Sequence, residues 1–213
     1  MKKLIAIFFC CLFLVPLKAA ATVEEGAAIH YDVPILSQEG LYLDGVHTGV
    51  GCVPVCIEMI TRYWEAEKGL EHLDAQHIID IKSAEGKYRA GYGMAAGDAA
   101  DMMNKIGYHY RFRSNSDKEE LIASFTEYGP LGVMVKTRWE PQRQNHSVVM
   151  IGWNPETEEI TLNDPFYGSA VTWTWEQFDG IWGLNYNADK GENAKIMRRI
   201  YYIIYPDKIT QER

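Results

Sequence analysis

At Gly129-Pro130 the sequence changes its period. Before it, apolar residues recur at helical spacing. Val55, Met59 and Tyr63 form one row, and Cys56, Ile60 and Trp64 form the adjacent one, in a helix that Pro54 opens and Gly69 stops. Asp74 to Ser83, Gly97 to Ile106 and Lys118 to Tyr128 are three further helix candidates, the second ended by Gly107. After Pro130 the runs are β-like and punctuated by turn signals such as Asn154-Pro155. They span Leu131 to Lys136, Ser147 to Trp153, Glu159 to Asn163, Ala170 to Trp175 and residues 200 to 205. Helices first and a mostly antiparallel sheet afterwards predict an α+β fold, and no repeat or linker divides it.

Upstream of Pro54 the chain is irregular. His30 to Gln38 reads as a short strand broken by Pro34. Glu39 to Gly51, with four glycines, reads as a loop, as does the segment KYRAGYGMAAG between the second and third helices.

The first residues read as an address. Met1-Lys2-Lys3 is basic, Leu4 to Leu17 is almost wholly apolar, and Ala19-Ala20-Ala21 supplies the small residues of a cleavage site. The run is short for a membrane span, which needs about 20 residues. We expect a signal peptide over residues 1–21 and a chain delivered to the periplasm or secreted, with no stable membrane insertion after cleavage. Cys10 and Cys11 follow Phe8-Phe9, not the small residues that a lipidation site wants. A leader over 22–32, a catalytic or binding domain over 33–206 and a tail over 207–213 complete the expected organisation.

Removing three lysines and no acids with the signal takes the net charge from −8 to −11. Without a basic excess, the chain has nothing with which to neutralise a phosphate backbone, so nucleic acid is not an expected partner. Two cysteines then remain, Cys52 and Cys56. They are too close in sequence for a crosslink to constrain much chain. No histidine falls at metal-ligand spacing, so neither metal nor cofactor is expected.

Cys52 sits two residues before Pro54, where helix N–H groups and their positive potential lower a thiol's pKa and offer donors to an oxyanion. The competing reading is a small buried hydrophobe, and Cys56 on the apolar stripe is expected to be one. A 52–56 disulfide is a third possibility. His146 stands at a strand mouth, within reach of a helix packed on the sheet. Asp164 follows the next strand, and antiparallel pairing through Asn154-Pro155-Glu156-Thr157 would bring it to the same end of the sheet. There a carboxylate orients an imidazole. Gln38 precedes the glycine loop that leads to Cys52, where a side-chain amide can aim N–H at an oxyanion. Taken singly, His146 and Gln38 read as surface residues and Asn163-Asp164-Pro165 as turn chemistry.

The ordered set VPILSQ (33–38), GCVPVCIEMITRYW (51–64), EYGPLGVMV (127–135), NHSVVMIGWN (145–154) and ITLNDPFYG (160–168) resembles the C39-like cysteine peptidases, a papain-like family. WTWEQFDGIW (173–182) resembles that family's aromatic-bearing helix ahead of the last strand. The resemblance implies a papain-like fold and a peptide or protein substrate. It implies Cys52 as nucleophile, His146 as general base, Asp164 as orienting acid and Gln38 as oxyanion-hole amide. Val53 stands where the family has glycine, and the loop from Gln38 to Cys52 is longer than usual. A peptide-binding module without chemistry, and a cell-wall amidase or acyltransferase, are the alternative functions. Oligomeric state and cleavage specificity are not legible in the sequence.

Overall fold

The computed structural model describes residues 26–136, 145–186 and 195–206, with side chains in 183–198 outside that description. The expected signal peptide, the start of the leader and the tail at 207–213 lie outside the described residues.

The fold is α+β and papain-like, as expected. A seven-stranded sheet forms its frame. In chain order the strands of this sheet are β1 (Ile29–His30), β4 (Tyr108–Arg113), β5 (Leu131–Lys136), β6 (Asn145–Asn154), β7 (Glu159–Asp164), β8 (Ser169–Thr174) and β11 (Ile200–Pro206). Their spatial order is β4-β11-β5-β6-β7-β8, all pairs antiparallel, with β1 on the edge of β6 beyond β5. Two small ribbons stand apart. One joins β2 (Tyr42–Leu43) to β3 (Val46–His47), and the other joins β9 (Gly183–Tyr186) to β10 (Lys195–Arg198).

Helix α1 (Cys52–Lys68) packs on the sheet through a face that is buried from Val53 to Ile60. Gly69 ends it in the left-handed conformation, φ 68°, with its N–H returned to Glu65 O. The remaining helices are α2 (Ala75–Ala84), α3 (Ala100–Lys105), α4 (Lys118–Tyr128) and α5 (Trp175–Asp179). Asp74 and Asp117 cap α2 and α4, each accepting from a backbone N–H three residues on. Thr174 caps α5 in the same way. The α1–α2 junction is clipped by Glu58. Its carboxylate accepts from Arg62 Nε at 2.7 Å and from Ala75 N at 2.8 Å.

The core runs between α1 and the sheet. Met150, Leu162, Ile204 and Ile60 are fully buried in it. Tyr202 lies flat across Gly132 of β5, where an added Cβ would overlap the ring. Lys118 at the start of α4 sits 5.0 Å from the ring centres of both Trp153 and Trp175 and pairs with Glu158, tying α4 to the β7–β8 side.

Three expectations need correction. Helix α1 begins at Cys52 itself, not at Pro54. The first three N–H groups of a helix lack internal partners, so proline is tolerated at the third position as well as the first. The run from His30 to Gln38 is a strand only at its start. Beyond Tyr31, whose N–H still donates to Ile151 O of β6, it leaves the ladder, and its polar groups are met by side chains and turns. The loop from Glu39 to Gly51 contains the β2–β3 hairpin. Its two-residue turn, Asp44-Gly45, has positive φ at both positions (51° and 76°), the conformation that Asp-Gly favours.

Candidate active site

Cys52 is the first residue of α1, and no carboxylate in the first turn offsets the positive potential there. Gly51 in front of it has no side chain with which to cap the helix, so N–H groups face whatever lies above the first turn. Cys52 is half-buried and Cys56, one turn on, is fully buried; both are free thiols.

His146 is the second residue of β6 and Asp164 the last of β7. The pairing of Val149 with Asn163 puts both at one end of the sheet. There His146 Nε2 and Asp164 Oδ1 are 2.7 Å apart, with each side chain 7% exposed. Asp164 Oδ1 also accepts from Phe166 N at 2.9 Å, which fixes the carboxylate from its own turn. The antiparallel arrangement expected from the Asn154-Pro155 turn is what brings the two residues together.

The electrostatics follow from this packing. Burial pushes the Cys52 thiol up, but the hydrogen bond and charge of His146, with backbone bonds from Ser147 and Val53, outweigh it and hold the thiol below its ordinary value of 9.0. Burial disfavours protonated His146. The hydrogen bonds to Asp164 and Cys52 prevail, and its pKa rises to about 9. Such a pair favours thiolate beside imidazolium. Cys56 behaves oppositely: burial drives its thiol well above the usual value, in spite of hydrogen bonds with Ser147 and Tyr202.

Gln38 is 6% exposed. Its Nε2 donates to Gly49 O at 2.8 Å and its backbone N–H to Pro165 O at 2.8 Å. Its Oε1 is buried without a hydrogen-bond partner among the described residues. One amide N–H is therefore committed to the loop that leads into α1. Among the described residues the second has no acceptor.

Val53, the residue that departs from the family pattern, is 3% exposed and turned into the core, while its backbone N–H stays with Cys52. The longer loop between Gln38 and Cys52 is the β2–β3 hairpin, anchored on α2 by a two-way bond. Tyr42 N donates to Gln76 Oε1 at 2.9 Å, and Gln76 Nε2 donates to Tyr42 O at 2.8 Å. Among the described residues no cluster of ligating side chains could hold a metal ion. Nor is any helix there long and apolar enough to cross a membrane.

Four neighbours of the site were given no part in it by the sequence. Ser147 supplies a backbone bond to Cys52 and its hydroxyl to Tyr202 at 2.8 Å. Thr48 and Tyr88 share a buried hydroxyl pair, 2.6 Å, in the segments leading to and facing the helix start. Asn163 is fully buried and donates to Val33 O at 3.0 Å. Serine opening a β-run and asparagine before Asp-Pro were the available signals.

A sequence profile of the Peptidase_C39 like family matches residues 30–190. The chain belongs to that family. Among solved structures, this C39-like chain is similar to the peptidase domain of Streptococcus ComA, a bi-functional ABC transporter involved in a quorum-sensing pathway. The TM-score is 0.53 at 14% identity, over 83% of this chain and 99% of that one. It is similar also to a chain from a study of the mite allergens Blo t 1 and Der p 1, with TM-score 0.54 and 11% identity, over 89% and 74% of the two chains. At these identities the likeness is one of fold. No curated protein sequence matches the C39-like chain significantly.

Proposed function

We infer that this C39-like protein is an exported cysteine peptidase that hydrolyses peptide bonds. The observation that carries the reading is the buried His146–Asp164 pair beside a half-buried thiol at an uncapped helix start. His146 holds the proton of Cys52, and the thiolate attacks the scissile carbonyl. The Cys52 backbone N–H and the second N–H of Gln38 receive the oxyanion. His146 returns its proton to the leaving amine, and water then releases the acyl group from sulfur. Asp164 keeps the imidazole in the tautomer that presents Nδ1 to sulfur and stabilises its charged form. Export rests on the N-terminal run of residues 1–21 alone.

The test is turnover of a mixed peptide library by the mature chain, with product mapping by mass spectrometry. Cleavage that disappears in Cys52→Ala and in His146→Ala supports the reading; cleavage that persists in either overturns it. A second reading, a peptide-binding module, is favoured by the bond that commits Gln38 Nε2 to Gly49 O. Peptide binding with no acyl-enzyme on Cys52 would select it. Release of fragments from purified peptidoglycan, with the peptide library untouched, would instead select a cell-wall amidase.

A further inference from the structure

The segment that carries Gln38 is not part of the sheet, yet Gln38 must hold its place to within a fraction of an ångström if its amide is to meet an oxyanion. Strand β1 ends at His30, and from Val33 onward the segment runs free of any ladder. It is attached instead to the far end of β7 and the turn that follows. Asn163 Nδ2 donates to Val33 O at its start. Gly168, at φ +58°, allows the turn to approach Ser37 closely; a Cβ there would lie 3.2 Å from Ser37 Cβ. Pro165 O accepts from Gln38 N at its end.

Among the described residues Asn163 supplies the one side-chain hydrogen bond of this attachment, and it is fully buried. Its Oδ1 has no partner among the described residues, an uncompensated cost that leucine at the same position would avoid. What asparagine offers in return is the bond to Val33 O. Asn163 is also the neighbour of Asp164, so one turn would fix both the orienting acid and the oxyanion segment.

We propose that Asn163 is a positioning residue for the oxyanion site: its amide docks the Val33–Gln38 segment against the Asp164 turn and so places Gln38. This rests on the peptidase reading above. It assigns Asn163 no contact with substrate and no part in forming the thiolate.

Two reactions of Cys52 separate these roles. Iodoacetamide is attacked at a saturated carbon, so its rate reports the thiolate and needs no oxyanion site. A 4-nitrophenyl ester is attacked at a carbonyl. Sulfur adds to the carbon, the oxyanion forms, nitrophenolate leaves with the bonding pair, and a thioester remains for water to cleave. In Asn163→Leu the nitrophenolate burst should slow by about tenfold, while the pH profile of iodoacetamide labelling stays where it is in the wild type. The double variant Asn163→Leu/Gln38→Ala should be no slower than Gln38→Ala, because both changes remove one function. An unchanged burst, losses that multiply in the double variant, or a labelling profile that moves with the burst would each overturn the proposal. Should Asn163→Leu not fold, Asn163→Ala removes the donor without adding charge or bulk and is read in the same way. A wild type with no burst and an ordinary thiol profile would overturn the peptidase reading, and the inference with it. A normal wild-type burst with multiplying losses overturns this inference alone.

Discussion

His146 Nε2 lies 2.7 Å from Asp164 Oδ1, joining the mouth of one strand to the end of its antiparallel neighbour eighteen residues on. The contact is buried, so bulk water screens it little and the imidazole keeps its proton to unusually high pH.

The pH dependence of Cys52 alkylation should show this directly. With the thiol held below 9.0 and His146 raised to about 9, labelling by iodoacetamide should already be fast below the ordinary thiol range. In His146→Ala the profile should move to higher pH. Cys56, buried and with a raised pKa, should stay unlabelled until the protein unfolds. Mass spectrometry of labelled peptides from pH 4 to 9 checks all three.

Asp164→Asn should lower the His146 pKa from about 9, because the carboxylate is a leading cause of the rise. The sign for stability follows from the raised value. The contribution of His146 is complete below its unfolded pKa of 6.5 and is lost as pH rises through about 9. The wild type should therefore lose stability across that window more steeply than Asp164→Asn. A fall of roughly 10²-fold in ester or peptide turnover should accompany the substitution. An NMR titration of the imidazole and urea unfolding at pH 6 and pH 9 measure the first two effects.

Gly132→Ala should destabilise the fold by about 3 kcal/mol, since both the strand and the Tyr202 ring that its Cβ would meet are held in the middle of the sheet. Urea unfolding gives the value. The double change Gly132→Ala/Tyr202→Leu should recover part of it by removing the ring.

Glu58→Ala should cost about 2 kcal/mol, because it strips the first N–H of α2 of its acceptor and leaves Arg62 without its partner. Thermal unfolding reads this. Glu58→Gln, which can still accept from Ala75 N, should lose less.

Much of the frame was legible because its signals are periodic. The two apolar rows of α1, the Gly69 stop and the runs from β5 to β8 all fall where their patterns put them. The approach of His146 to Asp164 was legible for the same reason: a short turn between two strands leaves one pairing. Strand β4 was not. Tyr108–Arg113 alternates aromatic with basic residues at the period of a strand, but the run is short, stands between two helix candidates and forms the sheet edge, where most of its side chains meet solvent. The β2–β3 hairpin had a signal, Asp44-Gly45, but its strands are two residues long and exposed. The start of α1 was placed two residues late because proline restricts where a helix continues, not how far before it the helix begins. Asparagine before Asp-Pro reads locally as turn chemistry, and nothing there shows its partner Val33, which lies 130 positions away.

The order of the strands also says when the sheet can close. β11 comes last among the described strands but lies inside the sheet, wedged between β4 and β5, with Tyr202 reaching the hydroxyl of Ser147. During synthesis Cys52 and its helix emerge from the ribosome well before this wedge. Until it slides home, β5 is paired with β6 alone and Ser147 lacks the hydroxyl of Tyr202. The sheet that backs Cys52 is therefore completed only after nearly all of the described residues have been made.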